Sequence, residues 1–174
     1  MSTEKKTILL IFLYLAFIVI GGRLLFIIPN NNYLGILNAD NFFILSCIII
    51  LLMMLPVYLL LKTNIFKKTL INFTLTIAVF VLVAVFYYSN LPMYTYEEAG
   101  KVVEDAENKE GRNAQVFIPE QREDKIAFGS GPYFKTTNDK YFIYLKNGDE
   151  IFIFRFDPLN GEYDAYNGSR KLLE

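Results

Sequence analysis

Acid–base or nucleophilic chemistry in this chain would have to run on carboxylates, lysines and tyrosines, because its 174 residues include no histidine and one cysteine, Cys47. That inventory excludes histidine-centred triads and histidine proton relays. It also leaves no imidazole–thiolate set for a transition metal. Carboxylates are plentiful, but Asp157-Pro158-Leu159-Asn160-Gly161 lacks the alternating oxygen ligands of a calcium-binding EF-hand, and Asp157, Asn160 and Gly161 suit a turn. No pair of Asp, Glu, Lys or Tyr falls in a recognisable catalytic pattern. The expectation is a non-enzymatic protein with no catalytic residue, metal or cofactor. Cys47 ends Ile44-Leu45-Ser46-Cys47, which has the look of a lipidation box far from where one belongs; it is read as a small apolar packing residue.

The chemistry left is recognition. Phe142, Tyr144, Ile151 and Ile153 alternate along two apolar segments that flank Asn147-Gly148, a strong hairpin signal. A two-residue Asn147-Gly148 loop pairs Lys146 with Asp149, Tyr144 with Ile151, and Phe142 with Ile153. Tyr141, Ile143, Leu145, Phe152, Phe154 and Phe156 then share one face, assigned to a core. Phe142, Tyr144, Ile151 and Ile153 form the opposite face, rimmed by Lys140, Lys146, Asp149 and Arg155. Two readings stand for that face. It is covered by a second packing layer drawn from residues 115–137, or it is an apolar patch that binds a partner.

Neighbouring elements position this hairpin. Thr95-Tyr96-Glu97-Glu98 is a capping box, with Thr95 accepting from the first turn and Glu98 reaching back to the Thr95 amide. Ala99, Val102, Val103 and Ala106 follow at helical spacing, and Gly111 is a stop, so the spacing predicts an amphipathic helix over 96–109. Strands are expected at Gln115–Ile118, Lys125–Phe128, Tyr133–Thr137, Tyr141–Lys146 and Glu150–Phe156, with Glu162-Tyr163 resuming one after the Asp157 turn.

Before residue 90 the chain changes character. Three apolar runs, about residues 7–28, 42–61 and 70–88, each have the roughly 20 residues that a hydrocarbon core requires. The first lacks a small-x-small cleavage site and is read as an uncleaved span. Lys5 and Lys6 precede it, and Lys62, Lys67 and Lys68 separate the second and third spans. Asn30–Asn41 holds no Lys or Arg. Basic loops stay cytoplasmic, which puts the N-terminus inside and everything after the third span outside. The expected localisation is a multi-pass protein of the cell membrane. Arg23 either snorkels to the outer interface or pairs with Asp40. Asn72 and Thr76 share a helix face and are expected to hydrogen-bond a neighbouring span. Pro56 is expected to kink its span, and Phe86, Tyr87 and Tyr88 to form an interfacial belt.

The division is a three-helix membrane domain, 1–91, and an extracytoplasmic α+β domain, 92–174, with one helix packed on an antiparallel sheet. Residues 1–91 hold six basic and two acidic side chains; residues 92–174 hold eleven and sixteen, a net of −5. An acidic domain is a poor nucleic-acid partner.

The opening Thr95-Tyr96-Glu97-Glu98-Ala99, the aromatic strand Tyr141–Leu145, the turn Asn147-Gly148 and the run from Phe156 through Asp157 to Tyr163 together resemble a PepSY domain over residues 94–166. That resemblance implies a bacterial extracytoplasmic helix-and-strands domain that binds or inhibits peptidases, and it brings no catalytic residue. The expected function is a membrane-anchored binding or regulatory protein that engages an envelope peptidase or peptide, with the lipid bilayer as its other partner. The alternative is a membrane immunity or sensory factor that acts through its spans.

Overall fold

The computed structural model describes residues 3–166. It has two compact units, one of residues up to Pro29 with Ala39–Asn90, the other of Asn30–Asn38 with residues from Leu91 onward. The connection 30–38, assigned by sequence to the helical half, thus belongs to the second unit.

The first unit is helical. α1 (Thr3–Ala16) runs through a π-helical stretch, Phe17–Gly22, into α2 (Arg23–Ile27). α3 (Ala39–Leu60) and α4 (Ile65–Ser89) follow. Three helical stretches, Glu4–Tyr33, Ala39–Leu60 and Ile65–Ser89, are long and apolar enough to cross a membrane. α4 starts five residues before its apolar run. Asn64 caps it by accepting from the Lys67 amide at 2.9 Å, so Lys67 and Lys68 lie in its first turn rather than in a loop.

Large apolar side chains of this unit face outward: Leu59, Leu60 and Leu82 are highly exposed. Its interior mixes rings with small polar side chains, burying Phe26, Phe42 and Phe80 beside Ser46, Thr69, Asn72 and Thr76. That is the arrangement expected when helix contacts rest on close packing and hydrogen bonds rather than on a hydrophobic driving force. The Tyr14 hydroxyl meets Thr76 Oγ1 at 3.0 Å, an interhelical bond of the expected kind. Asn72 lies on the same face, yet its amide has no hydrogen-bond partner. Gly22 marks the closest approach: a Cβ there would stand 2.3 Å from Cζ of Phe80. Arg23 pairs with Asp40 at 3.5 Å. Tyr87 corrects the expected belt, because it is buried and its hydroxyl donates to the Phe26 carbonyl at 3.1 Å.

The second unit packs one helix on one antiparallel sheet. α5 (Tyr96–Lys109) begins at the expected capping box and stops before Gly111, where φ is 90°. β1 (Gln115–Phe117), β2 (Ile126–Ala127), β3 (Lys140–Asn147), β4 (Glu150–Phe156) and β5 (Tyr163–Ala165) form a sheet in the order β1-β3-β4-β5, with β2 also on β3. β3 is central because its edge facing away from β4 takes β1 at one end and β2 at the other. The stripe Tyr96, Ala99 and Val103 packs on Tyr141, Ile143, Leu145, Phe154 and Phe156. Ile36 joins this core from the 30–38 connection. Tyr33 donates to the Pro92 carbonyl at 3.0 Å, and Arg122 donates to the Leu34 carbonyl, which belongs to a residue in the left-handed region at φ 55°.

Two local expectations change. Tyr133–Thr137 forms a turn, not a strand. Pro132 has no amide to give a ladder, its carbonyl takes the Lys135 amide at 3.2 Å, and Thr137 Oγ1 takes the Asp139 amide at 3.0 Å. The hairpin loop is Gly148-Asp149 rather than Asn147-Gly148. Gly148 has φ 62° while Asp149 does not take a positive φ, the pattern of a II′ turn with glycine first. Asn147 stays in β3, paired with Glu150, and its side-chain amide donates to the Arg112 carbonyl. The register therefore slides by two residues, pairing Tyr144 with Ile153, Lys146 with Ile151, and Phe142 with Arg155. A two-residue slide preserves which side chains share a face.

Candidate functional site

The face carrying Phe142, Tyr144, Ile151 and Ile153 is mostly closed by the chain itself. Residues Glu123–Lys125 make a 3-10 turn across it, and the Tyr144 hydroxyl donates to the Asp124 carbonyl at 2.9 Å. Tyr144 is fully buried and presents nothing to a partner. Phe142 is buried too, with its ring 4.9 Å from that of Tyr166. Ile153 is half-buried, and Ile151 is 42 % exposed near the hairpin end. Of the two readings for this face, the covering layer describes Tyr144 and Phe142, and only Ile151 is open.

What stays open lies beside Phe142. A groove of about 590 Å³ is lined by Ile126, Phe128, Ser130, Lys140, Arg155 and Tyr166 with Phe142. Phe128 is 73 % exposed at its lip. Lys140 pairs with Asp157 at 3.3 Å, and Arg155 with Asp164 at 2.9 Å. Beyond the groove β5 ends the sheet, and among the described residues no strand pairs with its outer edge. Sequence reasoning missed Phe128, Ser130 and Tyr166. Their contribution comes from β2 folding back on β3 and from the chain after β5 returning to Phe142, and neither approach has a local signal.

The turn residues hold the frame. Thr95 donates its amide and its hydroxyl to Glu98 Oε2, each at 2.8 Å. Those bonds, the backbone one first, hold the Glu98 carboxyl below the usual carboxylate range, with Lys101 adding to the effect. Asp157 accepts the Gly161 amide at 2.9 Å on its carbonyl and the Leu159 amide at 3.0 Å on its side chain, while Gly161, at φ 78°, reverses the chain.

Two core tyrosines differ. Tyr96 donates to the Phe142 carbonyl at 3.0 Å. Tyr141 is buried against it, ring to ring at 5.4 Å, and its hydroxyl has no partner. Burial pushes both phenols well above their ordinary value. Neither can serve as a base near neutral pH. Glu107, buried on α5, is compensated by Arg112 at 2.7 Å and by the Tyr163 hydroxyl at 3.4 Å. Among the described residues no group of His, Cys, Asp and Glu is arranged to hold a metal.

No family model, no curated protein and no solved structure matches this chain.

Proposed function

We propose that the chain is a multi-pass membrane protein whose second unit lies outside the cytoplasm and binds an extended segment of an envelope peptidase or peptide, without catalysis. The observation that carries this reading is the aromatic groove beside Phe142, with its charged wall of Lys140 and Arg155 and the outer edge of β5 nearby. An extended peptide gains main-chain bonds from such an edge and side-chain selectivity from such a groove. Three apolar helices support the membrane part. The basic residues at positions 5, 6, 62, 67 and 68 support an outward second unit. The PepSY-like run over residues 94–166 supports the peptidase as partner.

The test uses the whole chain, since Ile36 belongs to the core of the second unit. A photo-crosslinking residue at Phe128 in intact cells is expected to capture one envelope peptidase or a peptide derived from it, with Arg155→Glu abolishing the product. The same probe at Ile151 serves as the comparison. Equal capture at both positions, or none at Phe128, rejects the groove.

A second reading has one observation in its favour. An immunity or sensory factor acting through its spans would account for Asn72, whose amide is buried among helices without a hydrogen bond. Such a group is costly in hydrocarbon and marks a functional candidate there. Loss of protection in Asn72→Leu, with folding intact and crosslinking at Phe128 absent, would favour it.

A further inference from the structure

We infer that the turn Pro132–Thr137 is a lipid contact, with Tyr133 and Phe134 seated in the interfacial layer of the outer leaflet. The inference rests on the membrane reading above.

The argument begins with where the second unit is joined to the apolar helices. Asn38 is the last residue of the 30–38 connection, and Ala39, the next, opens α3. Consecutive Cα atoms stand about 3.8 Å apart, so Asn38 is fixed at the end of a helix long enough to span. Asn38 also grips the turn. Its amide donates to the Thr136 carbonyl at 2.7 Å, and its side-chain amide donates to the Lys135 carbonyl at 2.8 Å. The turn therefore shares the depth at which α3 begins.

Its composition suits that depth. The Tyr133 and Phe134 rings meet edge to face at 5.3 Å, yet they are 49 % and 55 % exposed. An exposed aromatic pair is poorly placed in water and well placed at the headgroup level, where amphipathic rings concentrate. Lys135 follows them and can reach anionic headgroups. The turn is also rigid enough to present them: Lys135 bonds back to Pro132 at 3.2 Å, and Asn138 donates to the Pro132 carbonyl at 3.4 Å. The far end of β3 offers a comparison. Eight residues from Lys140 to Asn147 cover about 24 Å, so Ile151, beside that end and also exposed, serves as a comparison position remote from the turn.

Tryptophan fluorescence tests this, because the chain contains no tryptophan and one introduced indole reports alone. Whole protein carrying Phe134→Trp, Tyr133→Trp, Ile151→Trp or Leu82→Trp would be reconstituted in phosphatidylethanolamine–phosphatidylglycerol vesicles with brominated acyl chains. Phe134→Trp and Tyr133→Trp are expected to emit to the blue of Ile151→Trp and to lose most of their emission to bromine. Ile151→Trp is expected to lose almost none. Leu82→Trp, 70 % exposed on α4, is expected to be quenched most strongly. Strong quenching at Leu82 with none at either turn position overturns the lipid contact and leaves the membrane reading standing. No quenching at Leu82 overturns the membrane reading and this inference with it.

Discussion

The two units solve opposite problems with the same aliphatic alphabet. In the helical unit the leucines look outward and the interior takes in Ser46, Thr69, Asn72 and Thr76. In the α+β unit the core aliphatic and aromatic side chains look inward, and the buried polar groups are the hydroxyls of Tyr96, Tyr141 and Tyr144 together with Glu107, Asp124, Thr136 and Thr137. On the membrane reading proposed above, placement follows the solvent that each surface would meet. Apolar burial drives folding only where water is the alternative; where the alternative is hydrocarbon, close contacts and hydrogen bonds must do the holding.

The strongest way to break this contrast is to shorten an aliphatic side chain on each side of it. Ile36→Ala should destabilise the second unit by about 2–5 kcal/mol, the usual range for emptying a packed aliphatic site. Leu82→Ala, on an outward face, should leave the thermal unfolding of reconstituted protein unchanged. Equal losses in a melting experiment would end the inside-out description.

A smaller effect sharpens the treatment of buried hydroxyls. Tyr144→Phe removes the hydroxyl bond to the Asp124 carbonyl and should cost about 1 kcal/mol. Tyr141→Phe removes a hydroxyl that has no partner and should be neutral or slightly stabilising. Denaturant midpoints for the two variants, compared with the parent, decide the matter.

The smallest effect is electrostatic. Because the folded Glu98 carboxyl titrates below its unfolded value, its contribution is complete above about pH 4.3, the ordinary glutamate value. It is lost as pH falls through the lower folded value. Glu98→Gln should therefore lower the stability of the second unit slightly at neutral pH and flatten its acid limb, so that the two profiles converge at low pH. An unaltered acid limb would remove the capping carboxylate from the account.

Local features were the readable ones. Thr95 and Glu98 announce the start of α5 because a capping box is made by residues three apart, and Gly111 announces its end for a similar reason. The alternation in β3 and β4 fixes the two faces even though the turn slid, since a slide of two residues keeps parity. The partner face was not readable. Tyr144 is covered because Asp124, twenty residues upstream, folds over it, and no spacing encodes that. Ile36 was read with the spans because it lies between two apolar runs in sequence, although its neighbours in space are α5 and the sheet. The Tyr133–Thr137 run is rich enough in aromatics to look like a strand, but Pro132 and Thr137 close it into a turn.

Asn38 finds its partner Lys135 97 residues further along the chain. At roughly 5–20 residues per second, a ribosome needs about 5–20 s to supply that stretch. During this interval Ile36 and its neighbours have left the exit tunnel with nowhere to settle. The core of the second unit therefore cannot close until that stretch has been made, and the segment between α2 and α3 waits for partners that are synthesised long after it.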